Sequence, residues 1–221
     1  MYRRSKLLLT QSLLSSWLYQ YTAYDSEKAR EDFVRALKRE PAPQSKAMRD
    51  GIQFENMVTA CCDGVNPDPG HEWEMVVRET AEILRGAQFQ VTAYQDKRID
   101  GVPFLLYGRL DALKAGVIYD TKFSRSYQSG KYVGSPQHPI YFECVPEARK
   151  FVYIIADGKA VYLEEYRRED TPPPDGIIRQ FMAYLSRQPL HMALNSSSVI
   201  SDRPFPPPGH CANTPTPCCL L

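Results

Sequence analysis

Residues 102–123 read VPFLLYGRLDALKAGVIYDTKF, and this stretch decides the fold. Apolar and polar residues alternate on both sides of Ala115-Gly116, which is the pattern of two β-strands joined by a two-residue turn. If this turn forms, residues whose numbers add up to 231 lie opposite each other, so Asp111 faces Asp120. Directly opposed carboxylates destabilise a hairpin unless a positive charge lies between them. The stretch therefore predicts a β-hairpin in which two acidic side chains meet.

Two basic side chains belong to the same charged face of the hairpin. Arg109 and Lys122 each lie two residues from an aspartate, and side chains two apart in a strand share a face. One interpretation is a solvated surface hairpin with diagonal ion pairs, Asp111 with Lys122 and Arg109 with Asp120. The other is burial around a divalent cation, which the apolar flanks of both strands make competitive. In either case the opposite face is largely apolar, with Leu110, Ala112, Val117, Tyr119 and Phe123.

Helical patterns precede this hairpin. Apolar residues at helical spacing predict a helix that Ser26 caps, a second that Ser45 opens, and a third over residues 71–85 that ends at Gly86. The second helix places Glu55 on a stripe with Met48, Ile52 and Thr59. The first part of the chain therefore delivers a carboxylate among apolar neighbours.

Strands dominate the chain from residue 89 onwards. Alternation predicts strands over residues 89–94, 102–113 and 116–124, then a helix that Ser135 caps and that runs to about Ala148. A hairpin around Asp157-Gly158 and a last helix over 175–187 follow. The sequence therefore predicts an α/β domain.

The domain organisation follows from length and composition. A chain of 221 residues with 43% hydrophobic content suits one domain with a sizeable core. We place this domain at residues 1–200, with a helical part over 1–87 and the catalytic sheet and helices over 88–200. Residues 201–221 are rich in proline, serine and threonine and are predicted to be disordered. The net charge of +1 excludes a global basic excess, so any contact with nucleic acid must come from local patches.

The sequence also bears on the compartment. It has no apolar stretch of about 18 residues and no signal-peptide pattern, so we predict a cytoplasmic protein. The last four residues, Cys218-Cys219-Leu220-Leu221, formally satisfy a prenylation pattern. Without that modification we expect no membrane contact.

Four motifs in chain order resemble the PD-(D/E)XK nuclease superfamily and its RecB-like branch. Residues 108–111 (GRLD) and 120–122 (DTK) are similar to its second and third motifs, and residues 137–141 (QHPIY) resemble its Gln-x-x-x-Tyr motif. Residues 51–55 (GIQFE) are similar to the first motif. The resemblance spans residues 10–166 and implies a restriction-endonuclease-like core, with a mixed central β-sheet flanked by helices.

The resemblance also implies an active site and a cofactor. Asp111, Asp120 and the Thr121 carbonyl would bind Mg²⁺ or Mn²⁺, and Glu55 would bind the metal directly, through water, or at a second metal site. Lys122 would position the attacking water and stabilise the charge of the transition state.

Substrate contacts are expected for four further side chains. Gln137 and Tyr141 lie four residues apart, so they project from one helical face, and the family places this pair against the active site and the substrate backbone. We also expect Arg109 and Arg125 to contact the substrate.

Departures from the family pattern limit some expectations. Leu110 stands where the superfamily has its proline, and a glutamate rather than a histidine at residue 55 leaves the number of metals open. Some relatives hold an iron–sulfur cluster between one early and three late cysteines. Cys211, Cys218 and Cys219 resemble the late group, but no cysteine precedes Cys61, so we expect no iron–sulfur cluster.

These observations predict a Mg²⁺-dependent deoxyribonuclease, an exonuclease or a repair or recombination nuclease of phage, plasmid or bacterial type. The expected partner is DNA. Because the chain has no helicase-type phosphate-binding loop, any unwinding motor would be a separate helicase or recombination protein. The alternative is a non-catalytic nucleic-acid-binding or assembly protein on the same fold. Lys122 beside both aspartates favours the enzyme.

Overall fold

The computed structural model describes residues 6–188. In chain order, these residues form the elements β1 (Leu7–Thr10), α1 (Gln11–Tyr19), α2 (Ser26–Lys38), α3 (Lys46–Cys62), α4 (Glu74–Leu84), β2 (Gln88–Ile99), β3 (Val102–Lys114), β4 (Val117–Phe123), α5 (Gln137–Cys144), β5 (Lys150–Ala156), β6 (Val161–Arg167) and α6 (Asp175–Ser186). None of the helices in this part of the chain is long and apolar enough to cross a membrane. The predicted tail over residues 201–221, with its three cysteines, lies outside the described residues.

The six strands form one mixed sheet. β2 pairs with β3 in an antiparallel ladder that runs from Gln88 opposite Leu113 to Ile99 opposite Val102. The other edge of β3 is shared between β1, which is parallel to it, and β4, which is antiparallel to it. β5 runs parallel to β4, and β6 pairs antiparallel with β5. With helices around this sheet, the chain has the α/β, restriction-endonuclease-like core that the sequence predicted.

The central hairpin has the predicted register. The pairs Ala112–Tyr119, Leu113–Ile118 and Lys114–Val117 connect β3 to β4, and each pair adds up to 231. Ala115 and Gly116 both have positive φ, 49° and 75°, as a type I′ turn requires. Beyond Ala112 the backbone ladder between the two strands ends.

This end of the ladder leaves a notch in the sheet. On the edge of β3 that β1 and β4 share, β1 pairs as far as Tyr107 and β4 pairs only from Ala112 onwards. Residues 108–111 lie between these two ladders. A side chain from α5 fills part of the gap, because the Tyr141 hydroxyl donates a hydrogen bond of 2.9 Å to the Arg109 carbonyl. The notch holds Asp111, the first of the predicted catalytic aspartates.

Two apolar cores cover the two faces of the sheet. β5 is buried along nearly its whole length, and its alternate residues point into different cores. The first core joins Phe151, Tyr153 and Ile155 to residues of α1, α2, α5 and α6. The second joins Val152 and Ile154 to residues of α3 and α4. Helices therefore hold β4 and β5 from both sides, which fixes the strand that carries Asp120 and Lys122.

Three local predictions are corrected by the structure. Asp25 rather than Ser26 caps α2, because its carboxylate accepts the Lys28 N–H. α5 ends at Cys144 rather than near Ala148, since Val145 precedes a proline and such residues disfavour helical backbone. Leu110 belongs to the first core and Ala112 to the second, so β3 does not keep one apolar face through the notch.

The first helices were predicted only in part. Ser45 caps α3 as predicted, with its hydroxyl accepting the Met48 N–H. The predicted stripe with Ile52, Glu55 and Thr59 is wrong, because the buried residues of α3 are Met48, Gly51, Phe54 and Val58. Glu55 stands at the margin of this buried face. Strand β1 was not predicted, because four residues are too few to show an alternation.

Candidate active site

Glu55 reaches the sheet from the middle of α3. It is partly buried, next to the fully buried Phe54, and its Oε1 accepts a hydrogen bond of 2.5 Å from the Gln90 side-chain amide. Burial raises the pKa of Glu55, and the nearby Asp120 raises it further. Lys122 and Arg109 act in the opposite direction on this pKa. The predicted first-motif carboxylate is therefore beside the charged residues of the hairpin.

Asp111 bridges the two strands where the backbone ladder stops. Its Oδ2 accepts a hydrogen bond of 2.9 Å from the Thr121 N–H, so a side chain takes the place of a backbone carbonyl. Burial raises the pKa of Asp111 well above its ordinary value, and the charges of Asp120 and Glu55 add to this increase. An ionised Asp111 is thus costly in the absence of a cation.

Asp120 is the most buried of the three carboxylates, with 2% of its surface exposed. Its Oδ1 accepts a hydrogen bond of 2.5 Å from the Gln137 amide. Lys122 Nζ lies 2.7 Å from Oδ2, an ion pair in which Oδ2 has no hydrogen bond of good geometry. Lys122 therefore pairs with Asp120 along β4, and neither side chain is a solvated surface charge, because Lys122 is only 13% exposed.

This site has an excess of negative charge and a set of oxygen donors. Glu55, Asp111 and Asp120 interact with each other and with Lys122, as the causes of the pKa shifts of Glu55 and Asp111 show. Carboxylate oxygens are the ligands that Mg²⁺ and Mn²⁺ prefer. Asp120 Oδ2, buried and without a directional hydrogen bond, is an atom that such an ion would satisfy. The chemistry of the residues therefore fits a hard divalent cation.

The acidic groups do not form a finished metal cage. Within residues 6–188, no three His, Cys, Asp or Glu side chains are arranged so that they could hold a metal ion as they stand. Protein donors from Lys122, Gln90 and Gln137 take up carboxylate oxygens instead. A metal would have to draw these oxygens together and displace at least some of those donors.

The Thr121 backbone is oriented towards the notch. Its N–H points to Asp111 on β3, and the N–H and C=O of one strand residue point to the same side. Its carbonyl is therefore directed away from β5 and towards the open edge of β3. The role of this carbonyl as a metal ligand stays a prediction.

Gln137 and Tyr141 form the wall of the site. Both are buried, with exposed fractions of 4% and 1%, and the Tyr141 hydroxyl contacts backbone rather than solvent. The Tyr141 ring packs on Gly108, where an added Cβ would lie 2.7 Å from ring carbon Cε1. The structure thus brings both residues to the site as supports of Asp120 and of the notch. Their contact with substrate stays a prediction.

The two arginines differ in position. Arg109 lies close enough to Glu55 to lower the pKa of that carboxyl. Arg125 is exposed beyond the end of β4, where it pairs with Glu72 at 3.2 Å and lies over the Phe123 ring. Arg125 is therefore outside the group of charges around Asp120, and its proposed contact with substrate is not tested by this arrangement.

Gln90 is a site residue that sequence reasoning missed. Phe89 pairs with Ala112 and Val91 with Leu110, which places Gln90 across from Asp111. Its φ of 55° is rare for a non-glycine residue inside a strand. Strain of this kind is concentrated at functional sites. Nothing in the alternation of residues 89–94 distinguishes Gln90 from its neighbours, so no sequence signal identified it.

Comparisons with known proteins agree with the fold. The sequence matches no protein-family model and no curated protein. The crystal structure of SSO0001 superimposes with a TM-score of 0.51 at 13% identity, over 91% of this chain and 89% of that one. The crystal structure of LHK-Exo in complex with dAMP has a TM-score of 0.43 at 12% identity, over 86% of this chain and 89% of that one. At such low identity the first likeness shows a shared fold and nothing about activity.

Proposed function

We propose that this protein is a metal-dependent nuclease that hydrolyses DNA phosphodiester bonds. The observation that carries the proposal is the buried pair of Lys122 and Asp120, with Nζ and Oδ2 2.7 Å apart, beside Asp111 and Glu55. Nearby carboxylates favour the charged form of a lysine, and the ion pair with Asp120 holds Lys122 in place. That is the requirement for a group that stabilises negative charge on a phosphoryl oxygen.

A divalent cation is part of this proposal. Asp111, Asp120 and the Thr121 carbonyl would hold Mg²⁺ or Mn²⁺, with Glu55 as a further ligand or as part of a second site. When bound, the ion supplies Lewis acidity towards the phosphate and lowers the pKa of its bound water. The raised pKa of Asp111 and of Glu55 is the electrostatic cost that its charge would offset.

The residues of the chain have separate tasks in the proposed reaction. The Lys122 ammonium orients the attacking water and stabilises the charge that develops on the phosphate. Gln137 holds the Asp120 carboxylate by a hydrogen bond to Oδ1, and Gln90 does the same for Glu55. Tyr141 fixes the Arg109 carbonyl and so the backbone next to Asp111. Such supports keep reacting groups within the small tolerance that catalysis needs.

The finer version of the proposal is an exonuclease or a repair or recombination nuclease of the RecB-like branch. It rests on the order of the four motifs, since each of them lies on an element that faces the notch. DNA would be the partner, and a separate helicase or recombination protein would supply any unwinding. The proposed compartment is the cytoplasm.

The test is cleavage of labelled linear, circular, single-stranded and double-stranded DNA, and of RNA, in Mg²⁺, Mn²⁺ or EDTA. We expect cleavage that requires metal and is lost in Asp120→Asn. Asp32→Asn is the matched control, because Asp32 pairs with Lys28 and Arg35 on α2. Metal-independent DNA binding without cleavage of any substrate would refute the nuclease and favour a non-catalytic binding or assembly protein.

A further inference from the structure

Four basic residues surround a depression at the open end of the β5–β6 hairpin, where β5 begins and β6 ends. The depression is about 460 Å³ in volume and is lined by Arg149, Lys150, Glu165, Arg167, Arg168 and Glu169. It is separated from the candidate active site by α5, because Arg168 contacts the last turn of this helix and Gln137 begins it. An eight-residue helix is about 12 Å long. The depression is thus distinct from the notch.

Arg168 is the fixed part of this depression. Its guanidinium donates hydrogen bonds to the carbonyls of Phe142, Val145 and Ala148, and it lies 4.9 Å from the centre of the Phe142 ring. These partners are uncharged carbonyl groups, so none of them compensates the positive charge of Arg168. Its Nη1 makes no hydrogen bond to any residue in the described part of the chain. The side chain is therefore held rigidly with donors still available.

The neighbouring charges add to this positive potential. The charge of Lys150 is compensated by Glu165, because Lys150 Nζ lies 3.1 and 3.2 Å from the two carboxylate oxygens of Glu165. Arg149 and Arg167 are exposed, and over residues 6–188 neither guanidinium lies within ion-pair distance of a carboxylate. Glu169 is the one lining carboxylate that stays unpaired among the described residues. Three arginines against one glutamate leave the depression with an excess of two positive charges.

The backbone fixes the positions of these arginines. The Arg149 N–H donates to the Gly116 carbonyl at 2.9 Å, and the Arg168 N–H donates to the Arg149 carbonyl at 2.9 Å. Arg167 is paired with Lys150 in the β5–β6 ladder. The three guanidinium groups therefore start from the first end of β5, where Arg149 precedes the strand, and from the last end of β6, which Arg167 closes and Arg168 follows.

We infer that this depression binds a phosphate group. Guanidinium groups form paired, charge-assisted hydrogen bonds with phosphate oxygens, and three of them around one concave surface match the several oxygens of a phosphate better than a single carboxylate. The volume lies within the range of ligand pockets, about 300–1,000 Å³. Nucleic-acid strands and free phosphate share this chemistry. The inference goes beyond the proposed nuclease and does not depend on cleavage.

The test compares Arg149→Gln/Arg167→Gln with Arg85→Gln/Arg179→Gln. Both double variants lose two positive charges, but Arg85 and Arg179 pair with Glu82 and Asp100 elsewhere on the surface. Arg168 is left unchanged because it also anchors α5. Binding is measured in EDTA, by calorimetry with inorganic phosphate and by fluorescence anisotropy with a short labelled oligonucleotide over a series of NaCl concentrations. These conditions separate binding from cleavage, so a failed nuclease assay leaves the result interpretable.

We expect the Arg149/Arg167 variant to bind at least one of the two probes about ten-fold more weakly, and the control to bind as the wild type does. If strand phosphates occupy the depression, the slope of log K against log salt decreases by about 1.4–1.8 for two lost contacts. If free phosphate is the ligand, only the calorimetric binding is lost. Equal weakening in both variants, or wild-type binding of both probes by the Arg149/Arg167 variant, would overturn the inference.

Discussion

The Gln90 side-chain amide donates a hydrogen bond of 2.5 Å to the Glu55 carboxylate, and the backbone of Gln90 has a φ of 55°. A strand residue with positive φ costs about 1–3 kcal/mol, and the structure keeps it where it holds a site carboxylate. The hydrogen bond favours the ionised form of Glu55 and opposes the effect of burial on its pKa. Gln90 is therefore a positioning residue for Glu55.

We predict that Gln90→Gly shifts the acid limb of the pH–rate profile, the range in which cleavage is lost as pH falls, to higher pH. Without the amide, the pKa of Glu55 rises further, so Glu55 is protonated, and unable to bind metal, at a higher pH. Thermal stability should change little, because two effects offset each other. Glycine adopts the positive φ without strain, which stabilises the fold, and the lost hydrogen bond destabilises it. The measurement is single-turnover cleavage against pH in saturating Mg²⁺.

Ala115→Gly is the control for Gln90→Gly. Ala115 also has positive φ, 49°, but lies in the turn between β3 and β4. Relief of strain there should stabilise the protein slightly and leave the pH profile unchanged. An unchanged acid limb in Gln90→Gly would contradict the role assigned to the amide.

Asp111 should make the metal-free protein less stable as pH rises. Because its folded pKa is raised, the folded state binds more protons than the unfolded state at pH values between the two pKa values. The free energy of unfolding therefore decreases from about pH 4, the ordinary value for aspartate, up to the raised value. We expect Asp111→Asn to reduce this decline and to be more stable than the wild type near neutral pH in EDTA.

Chemical denaturation in EDTA over a pH series measures this effect. Asp157→Asn is a control of opposite sign, because the backbone N–H groups of Ala160 and Lys159 lower the pKa of Asp157. Its stabilising contribution is present above the ordinary pKa and is lost only in acid. Over neutral pH this variant should lose stability by a constant amount. If the free energy of unfolding of Asp111→Asn depends on pH as that of the wild type does, Asp111 is not the carboxyl group that destabilises the metal-free protein.

Gly108 begins the GRLD stretch over residues 108–111, and the structure gives a steric reason for a glycine there. A Cβ at this position would meet two atoms of the Tyr141 ring at 2.7 and 2.9 Å. Overpacking of this kind costs about 1–3 kcal/mol. We expect Gly108→Ala to lower the free energy of unfolding by this amount and to reduce cleavage, because Tyr141 can no longer reach the Arg109 carbonyl.

Two comparisons make the Gly108 experiment specific. Gly134→Ala should be neutral, since nothing lies within 4 Å of a Cβ there. Gly108→Ala combined with Tyr141→Leu should recover part of the lost stability, because leucine vacates the ring position. If Gly108→Ala is as stable as Gly134→Ala, the close packing of Tyr141 on Gly108 is refuted.

Patterns within one strand or helix predicted the features that depend on residues close in sequence, such as hairpin register and helix ends. The register of β3 and β4 followed from the Ala115-Gly116 turn, because a two-residue turn fixes which residues are opposite. The cap at Ser45 and the bounds of α6 followed from local chemistry in the same way. This register also brings Asp111 near Asp120, whose charge raises the pKa of Asp111, although both residues lie beyond the last pair of the backbone ladder.

Contacts between distant elements were beyond these patterns. The notch exists because β1 and β4 share one edge of β3, and no feature of residues 7–10 indicates that pairing. The partner of Lys122 was also open, since alternation allowed a cross-strand pair with Asp111. The structure selects Asp120 because the Asp111 carboxylate turns to the Thr121 N–H. The hydrogen bond between Thr121 and Asp111 therefore determines the pairing of Lys122, which residue spacing alone left open.

The last prediction concerns Lys122, whose pairing with Asp120 has both a structural and a proposed catalytic aspect. Lys122→Met leaves a buried carboxylate without its cation, so we expect a loss of about 3–5 kcal/mol of stability in EDTA. We also expect single-turnover cleavage to fall about 10²–10³-fold under conditions where the variant is folded. The first effect follows from burial alone, and only the second requires catalysis.

Asp120→Asn/Lys122→Met separates the two effects. Replacing both members of a buried ion pair removes the unpaired charge, so the melting temperature should return towards the wild-type value. Gln137 can still hydrogen-bond to the new amide. If Lys122 acts on the substrate and Asp120 on the metal, the refolded double variant stays inactive in Mg²⁺ and Mn²⁺. If the pair serves only the fold, cleavage returns together with stability, and that result would refute the proposed mechanism.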